Sequence, residues 1–414
     1  MDRFLARYAA FCVLSLFLGI NYDVGVILRP FDAIVAFGII ILVGRASVRG
    51  HIDMLKKPTV YYLFASTYFY QCVNALFLSG TGTALKETLQ TIEFLLLIHL
   101  IAVSTRSIEH RQVFFRTLLV GFGMMAVLTA GWHIGDGSYA NYKGLGPLKY
   151  TFSFFGLLAL REYLREEPNR FAALVLLGAI LLTVLSGERK GWVAFAGAGG
   201  VMYIYFRGGS IWQVLPTLLR PRVLVGGGTV LIGVIAIGLQ FEYVSGQFED
   251  MRDVYLLLSN FDLQIDLSAF ETSGSNLARL YALLFTIRTT MAHPWFGVGT
   301  GGWLREIRAA SNSSGDTYIL GAHSEYQRFA VENGLTGLFL YVACWVVAFR
   351  QVTRVHRTSR SPGIRSDALT MIGIIGFGAL INLFIGGGAL NTIYLALAIG
   401  LLVGLENSTE SLTQ

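Results

Sequence analysis

The chain has 414 residues, 54% hydrophobic and only 14% charged, with a formal net charge of +6 and a mean hydropathy of +0.58. Soluble domains carry about 25% charged residues, so the composition excludes a soluble globular enzyme and points to an all-α membrane protein. The positive surplus reads as an orientation signal for membrane insertion rather than as a nucleic-acid surface.

The N-terminus, from Met1 to about Gly19, has the charged start and apolar stretch of a signal peptide. It lacks a small-residue cleavage site before "NYDVG", which predicts an uncleaved first helix. Apolar runs of spanning length then recur along the chain. They predict about twelve transmembrane helices, near 7–22, 29–44, 58–79, 88–104, 113–131, 149–161, 171–186, 190–206, 222–240, 322–349, 369–385 and 389–405. The sixth is short and reads as broken or re-entrant. Period-2 alternation is absent and lipid leaves no backbone group unpaired, so helices are expected rather than barrel strands.

Arginine placement supports this order. With the N-terminus in the cytoplasm, 20 of the 32 Lys and Arg fall in cytoplasmic segments, every even connection is Arg-rich, and the tail after Gly404 also ends inside. Cys12, Cys72 and Cys344 lie in apolar runs at unrelated positions, the pattern of buried packing residues rather than of a disulfide or metal site. No tandem repeat or low-complexity tract appears, so residues 1–414 read as one polytopic domain. Its one long connection is about 241–321, on the outer face. This loop carries the acidic and polar stretches "FEDMRD" and "SNSSGD" around an amphipathic piece, "LARLYALLFTIRTTMAHPWFGVG". A connection of that length in a compact protein is usually functional.

The outer face gathers unusual charge. In "LSGERKGWVAF", Glu188, Arg189 and Lys190 form a tight turn between the seventh and eighth spans. Snorkelling into the headgroups accounts for such a turn, but two further features compete with that reading. In residues 275–303, Arg279 opens a helix-period segment that a Pro-Trp-Phe-Gly turn ends. Arg279 and Arg288 are nine apart, on opposite sides of such a helix, so they do not both serve one small site. Gly297, Gly299, Gly301 and Gly302 follow no predicted strand and precede no Lys-Ser/Thr pair. They therefore read as a flexible return to the membrane rather than as a nucleotide loop.

Where the loop returns, "HSEYQRFAVENGLTGLFLY" places His323 in the first turn of an entering helix, with Glu325, Arg328 and Glu332 spaced for i+3 and i+4 ion pairs. The pairs read as structural. A helix N-terminus disfavours the imidazolium, which would keep His323 neutral and available as a base. Arginines that bind bidentately suit a diphosphate, and their depth suits one carried on a lipid. With no Asp-rich cluster in the sequence, the constellation suggests a group transfer from a lipid diphosphate without metal or other cofactor.

At these residues the chain resembles the O-antigen ligase/polymerase family of bacterial inner-membrane glycosyltransferases. The resemblance rests on Arg189 in the short turn, on "SNLARLYALLFTIRTTMAHPWFGVG" with Arg279, on "HSEYQRFAVENGLTGL" with His323 and Gly334, and on Arg29, Pro30 and Asp32 in "LRPFDAIVAF". It implies transfer of a glycan from undecaprenyl diphosphate to an acceptor hydroxyl on the periplasmic face. The acceptor is lipid A-core in a ligase and a lipid-linked repeat unit in a polymerase. Arg189 and Arg279 match the family's diphosphate-binding arginines, with Lys190 beside them, and His323 matches its proposed base. Two departures bear on the acceptor class: Glu188 stands where the family often has Ser, and Ser324 where it often has Asn. A transporter of lipid-linked glycan is the competing class. Internal repeats and mid-membrane charges would mark one, and neither is evident. Ligase is ranked ahead of polymerase because only one outer loop is large.

Overall fold

The computed structural model describes residues 2–17, 22–23, 27–28, 31, 34–35, 37–38, 59–136, 148–164, 170–185, 189–207, 275–310, 322, 324–384 and 389–410. The predicted spans 29–44 and 222–240 fall wholly or largely outside these residues, as do most of the N-terminal half of the long loop and its "SNSSGD" stretch. What is described is all-helical apart from a two-residue ladder pairing Tyr22 with Leu28 and Asp23 with Ile27.

In chain order the helices are α1 (Asp2–Phe17), α2 (Thr59–Leu78), α3 (Thr81–Ser104), α4 (Ile108–Asp136), α5 (Leu148–Tyr163), α6 (Arg170–Leu185) and α7 (Arg189–Phe206). After the long loop's described helices α8 (Ser275–Ala292) and α9 (Gly302–Ala310) come α10 (Glu325–Thr358), α11 (Pro362–Ile381) and α12 (Ala389–Glu410). Among the described residues, α3, α10 and α11 are long and apolar enough to cross a membrane. The outer surface agrees with a lipid solvent. On α6, Phe171, Leu174, Leu177 and Leu181 form an exposed apolar stripe, where a soluble protein would hide one.

Of the predicted boundaries that move, two are instructive. The span expected at 369–385 is the helix Pro362–Ile381. Ser361 caps it, its side chain accepting from the Ile364 N–H, and Pro362 stands in the first turn, a position where its missing N–H is no loss. The span expected at 322–349 is the helix Glu325–Thr358, extended through Arg350, Arg354 and Arg357 and broken at Gly334.

The core is aromatic and closely approached. Phe154 of α5 lies 5.3 Å from Phe122 of α4, 5.5 Å from Phe377 of α11 and 5.3 Å from Tyr394 of α12, centroid to centroid. Where α12 crosses α3, Gly400 and Gly404 let the backbones touch. A β-carbon on either would stand 3.0 Å from a carbonyl oxygen of α3, the small-xxx-small contact that membrane helices favour. The cysteines are free, with Cys12 and Cys344 buried. Polar glue joins α4, α5 and α11: Asp367 accepts from Arg111 Nε at 2.7 Å and from Arg161 Nη2 at 3.1 Å, all three side chains almost wholly buried.

Candidate active site

The site is best built from a break. Gly334 has φ 66° and ψ −170° inside α10, a conformation open to glycine and costly for other residues. The break frees backbone groups that the turn after α8 takes up. The N–H groups of Val298 and Gly299 donate to the carbonyls of Val331 and Glu332 at 2.9 and 3.0 Å, and the N–H of Leu335 donates to the Pro294 carbonyl at 2.7 Å. For the turn to lie so close, Gly297 also takes a positive φ, and a β-carbon there would collide with the Val331 carbonyl oxygen. The glycines expected to give a flexible return to the membrane instead stitch the loop to the helix break.

Residues of α2 complete the seam. Tyr70 Oη donates to the Asn333 carbonyl at 3.0 Å, and Asn74 Nδ2 donates to the Phe296 carbonyl at 2.6 Å. Gln71 Nε2 donates to Glu87 of α3 at 3.1 Å. None of Tyr70, Gln71, Asn74 or Glu87 was singled out in the sequence. The available signal was polarity within apolar helices, "YQCVNAL" and "KETLQ", which by default marks function or assembly.

The ion pairs expected from spacing are present. Arg328 sits between Glu325, which accepts from its Nε at 3.0 Å and also from Nη2, and Glu332, which accepts from Nη1 at 3.0 Å. Glu332 also accepts the N–H of Trp303 at 3.3 Å, so a carboxylate closes the first turn of α9, where the helix dipole favours negative charge. One buried triad therefore fastens α10 to the loop.

The start of α10 is held from α11. Ser324, its N-cap residue, donates through Oγ to the Asn382 carbonyl at 3.1 Å, and the Glu325 N–H donates to the same oxygen at 2.9 Å. Asn382 Nδ2 donates to Tyr341 Oη at 2.8 Å. The helix thus begins at Glu325 rather than at His323, and His323 lies outside the described residues. Arg189 is the first residue of α7. That helix runs antiparallel to α11, with Gly197 against Leu380 and Gly373 against Met202. The beginnings of α7 and α10 therefore both stand at the end of α11. Trp192 Nε1, donating to the Thr183 carbonyl at 2.6 Å, closes the α6–α7 turn. Lys190 follows, half-buried. Arg279 lies in the second turn of α8, which packs on α10, and Arg288 of α8 is exposed. Among the described residues no three of His, Cys, Asp and Glu gather as a metal-binding group.

Comparison with known proteins agrees with the resemblance. Residues 172–342 match the family described as O-Antigen ligase, a stretch from the first turn of α6 to the middle of α10. No curated protein matches the chain. The chain thus carries an O-antigen ligase-like region that contains Arg189, Lys190, Arg279 and His323 and both the loop turn and the helix break of the Gly334 seam, while Tyr70 and Asn74 of α2 lie outside it.

Proposed function

We propose that this O-antigen ligase-like chain moves a glycan from an undecaprenyl-diphosphate carrier to an acceptor hydroxyl on the periplasmic face of the bacterial inner membrane, with lipid A-core as the acceptor. The match to a family described as O-Antigen ligase supports a glycosyltransferase-like membrane enzyme of the ligase or polymerase type. The observation that carries the reading is the family match over 172–342, which takes in all four proposed site residues. The shared position of the α7 and α10 starts, at the end of α11, supports it.

In the proposed reaction the acceptor hydroxyl attacks the anomeric carbon of the donor glycan. The bond from that carbon to the diphosphate oxygen breaks, and the lipid diphosphate leaves with the electron pair. His323 takes the hydroxyl proton, a general-base role. Arg189 and Arg279 hold the diphosphate through their planar forks, and Lys190 adds a point charge. Guanidinium groups supply the neutralisation that a divalent cation gives elsewhere, so the mechanism calls on no metal or other cofactor.

The proposed topology has twelve spans, cytoplasmic termini and residues 241–321 as the periplasmic loop. A reporter fused at Gln414 is expected to read cytoplasm and one inserted near Ser313 periplasm; a periplasmic signal at Gln414 would refute the span count.

The acceptor is tested by deleting the gene and running envelope glycans on a gel. A ligase mutant accumulates lipid-linked polymer while its lipid A-core stays uncapped. Core carrying a single repeat unit would instead make the chain a polymerase with the same site. Charge and shape separate at Arg189. If it grips the diphosphate through a fork, Arg189→Lys should lose about tenfold or more of transfer activity although the charge is kept, with Lys190→Ala milder. Full activity in Arg189→Lys would reduce the turn to snorkelling charges.

A further inference from the structure

At the end of the bundle opposite the α7 and α10 starts, a cavity of about 910 Å³ opens between α4, α5, α6, α7, α10 and α11. Its apolar wall includes Leu119, Phe171, Val175 and Leu369, and its charged wall includes Arg116 and Arg365. The other ionic groups lining it are already engaged. Asp367 is held by both Arg111 and Arg161, and Arg161 also pairs with Glu162, donates to Thr370 at 2.9 Å and lies 4.3 Å from the Phe115 ring centre. Arg116 and Arg365 are exposed, and neither guanidinium has an ion-pair partner among the described residues. Two uncommitted guanidinium groups thus face a cavity that also presents hydrocarbon from Leu119, Phe171, Val175 and Leu369.

We propose that this cavity binds the phosphate of an anionic glycerophospholipid, with Arg116 and Arg365 on the headgroup and an acyl chain against the apolar wall. Paired positive charges suit a phosphate, and basic pockets between helices at the arginine-rich membrane face hold lipid headgroups. A soluble phosphate ester would gain nothing from Leu119, Val175 and Leu369. A lipid would, and Phe171, which lines the cavity, also begins the exposed apolar stripe of α6. That stripe gives the chain a continuous path to the bilayer. The site is independent of the glycan chemistry at the other end.

The test is lipid retention by the purified full chain, read by native mass spectrometry after equilibration with equal amounts of phosphatidylglycerol and phosphatidylcholine. The wild type should retain phosphatidylglycerol selectively, R116Q/R365Q should lose that selectivity by about tenfold or more, and R116K/R365K should keep it within a few-fold. Arg354→Gln, an exposed charge outside the cavity, should behave as wild type. Size-exclusion profiles of all variants establish that each is folded. Equal retention of both lipids by the wild type, or unchanged selectivity in R116Q/R365Q, would overturn the proposal. So would loss of selectivity in the Lys and Gln pairs alike. Displacement of the lipid by equimolar glycerol 3-phosphate would make this a site for a free phosphate ester and would also overturn it.

Discussion

His323→Ala is expected to cut transfer by about 10²–10⁴-fold while leaving affinity for the lipid-diphosphate donor within about twofold of wild type. The range is that of a positioned general base, about 3–5 kcal/mol of barrier. A base acts on the acceptor proton as bonds change, so its loss removes transition-state stabilisation without touching ground-state donor contacts. Arg279→Ala should differ in kind, weakening donor binding together with rate. The measurements are donor binding to purified His323→Ala protein, the transfer rate and the folded yield. A normal rate would show that the base is another group. Loss of donor affinity and folded yield together would make His323 structural.

The second large effect is expected at Arg328. Its partners are nearly inaccessible, with side-chain exposure of 1% for Glu325 and 4% for Glu332. Arg328→Met would leave two buried carboxylates facing each other without a cation, a change that costs about 3–5 kcal/mol when a buried pair loses one partner. The variant should show a lowered unfolding midpoint in detergent and a reduced folded yield. Adding Glu325→Gln and Glu332→Gln should recover most of the loss, because the uncompensated charge is removed with the acids. A wild-type midpoint for Arg328→Met alone would mean that the triad contributes nothing to holding the loop.

Much of the fold is legible in the apolar runs, and the departures have one origin. Hydropathy measures the thickness of hydrocarbon, not the length of a helix. The run ending at 349 continues as helix through Arg350, Arg354 and Arg357 because nothing there breaks backbone hydrogen bonding. The start of α11 escaped a hydropathy reading because Arg365 and Asp367 interrupt the apolar run, although the "SP" of a capped helix start was present. Asp367 is tolerated there because Arg111 and Arg161 neutralise it. In the candidate site, Glu325, Arg328 and Glu332 were legible because their partnership is set by helical spacing alone. The seam at Gly334 was not. "VENGLTG" reads as continuous helix, and only the arrival of the 294–299 backbone explains why a glycine there leaves the helical conformation. Tyr70 and Asn74 were missed for the same reason: no local pattern announces a partner more than two hundred residues away.

That separation sets the order in which the protein is made. Asn74 and the Phe296 carbonyl it binds are 222 residues apart, and at synthesis rates of about 5–20 residues per second roughly 10–45 s pass between their appearances. Gln71 and Glu87, only 16 apart, can satisfy each other as soon as α2 and α3 lie side by side. Asn74 and Tyr70 have to wait. The nascent chain therefore passes through a stage with its early helices in place and two of their polar groups unmatched. That stage ends when the turn after α8 meets the broken helix.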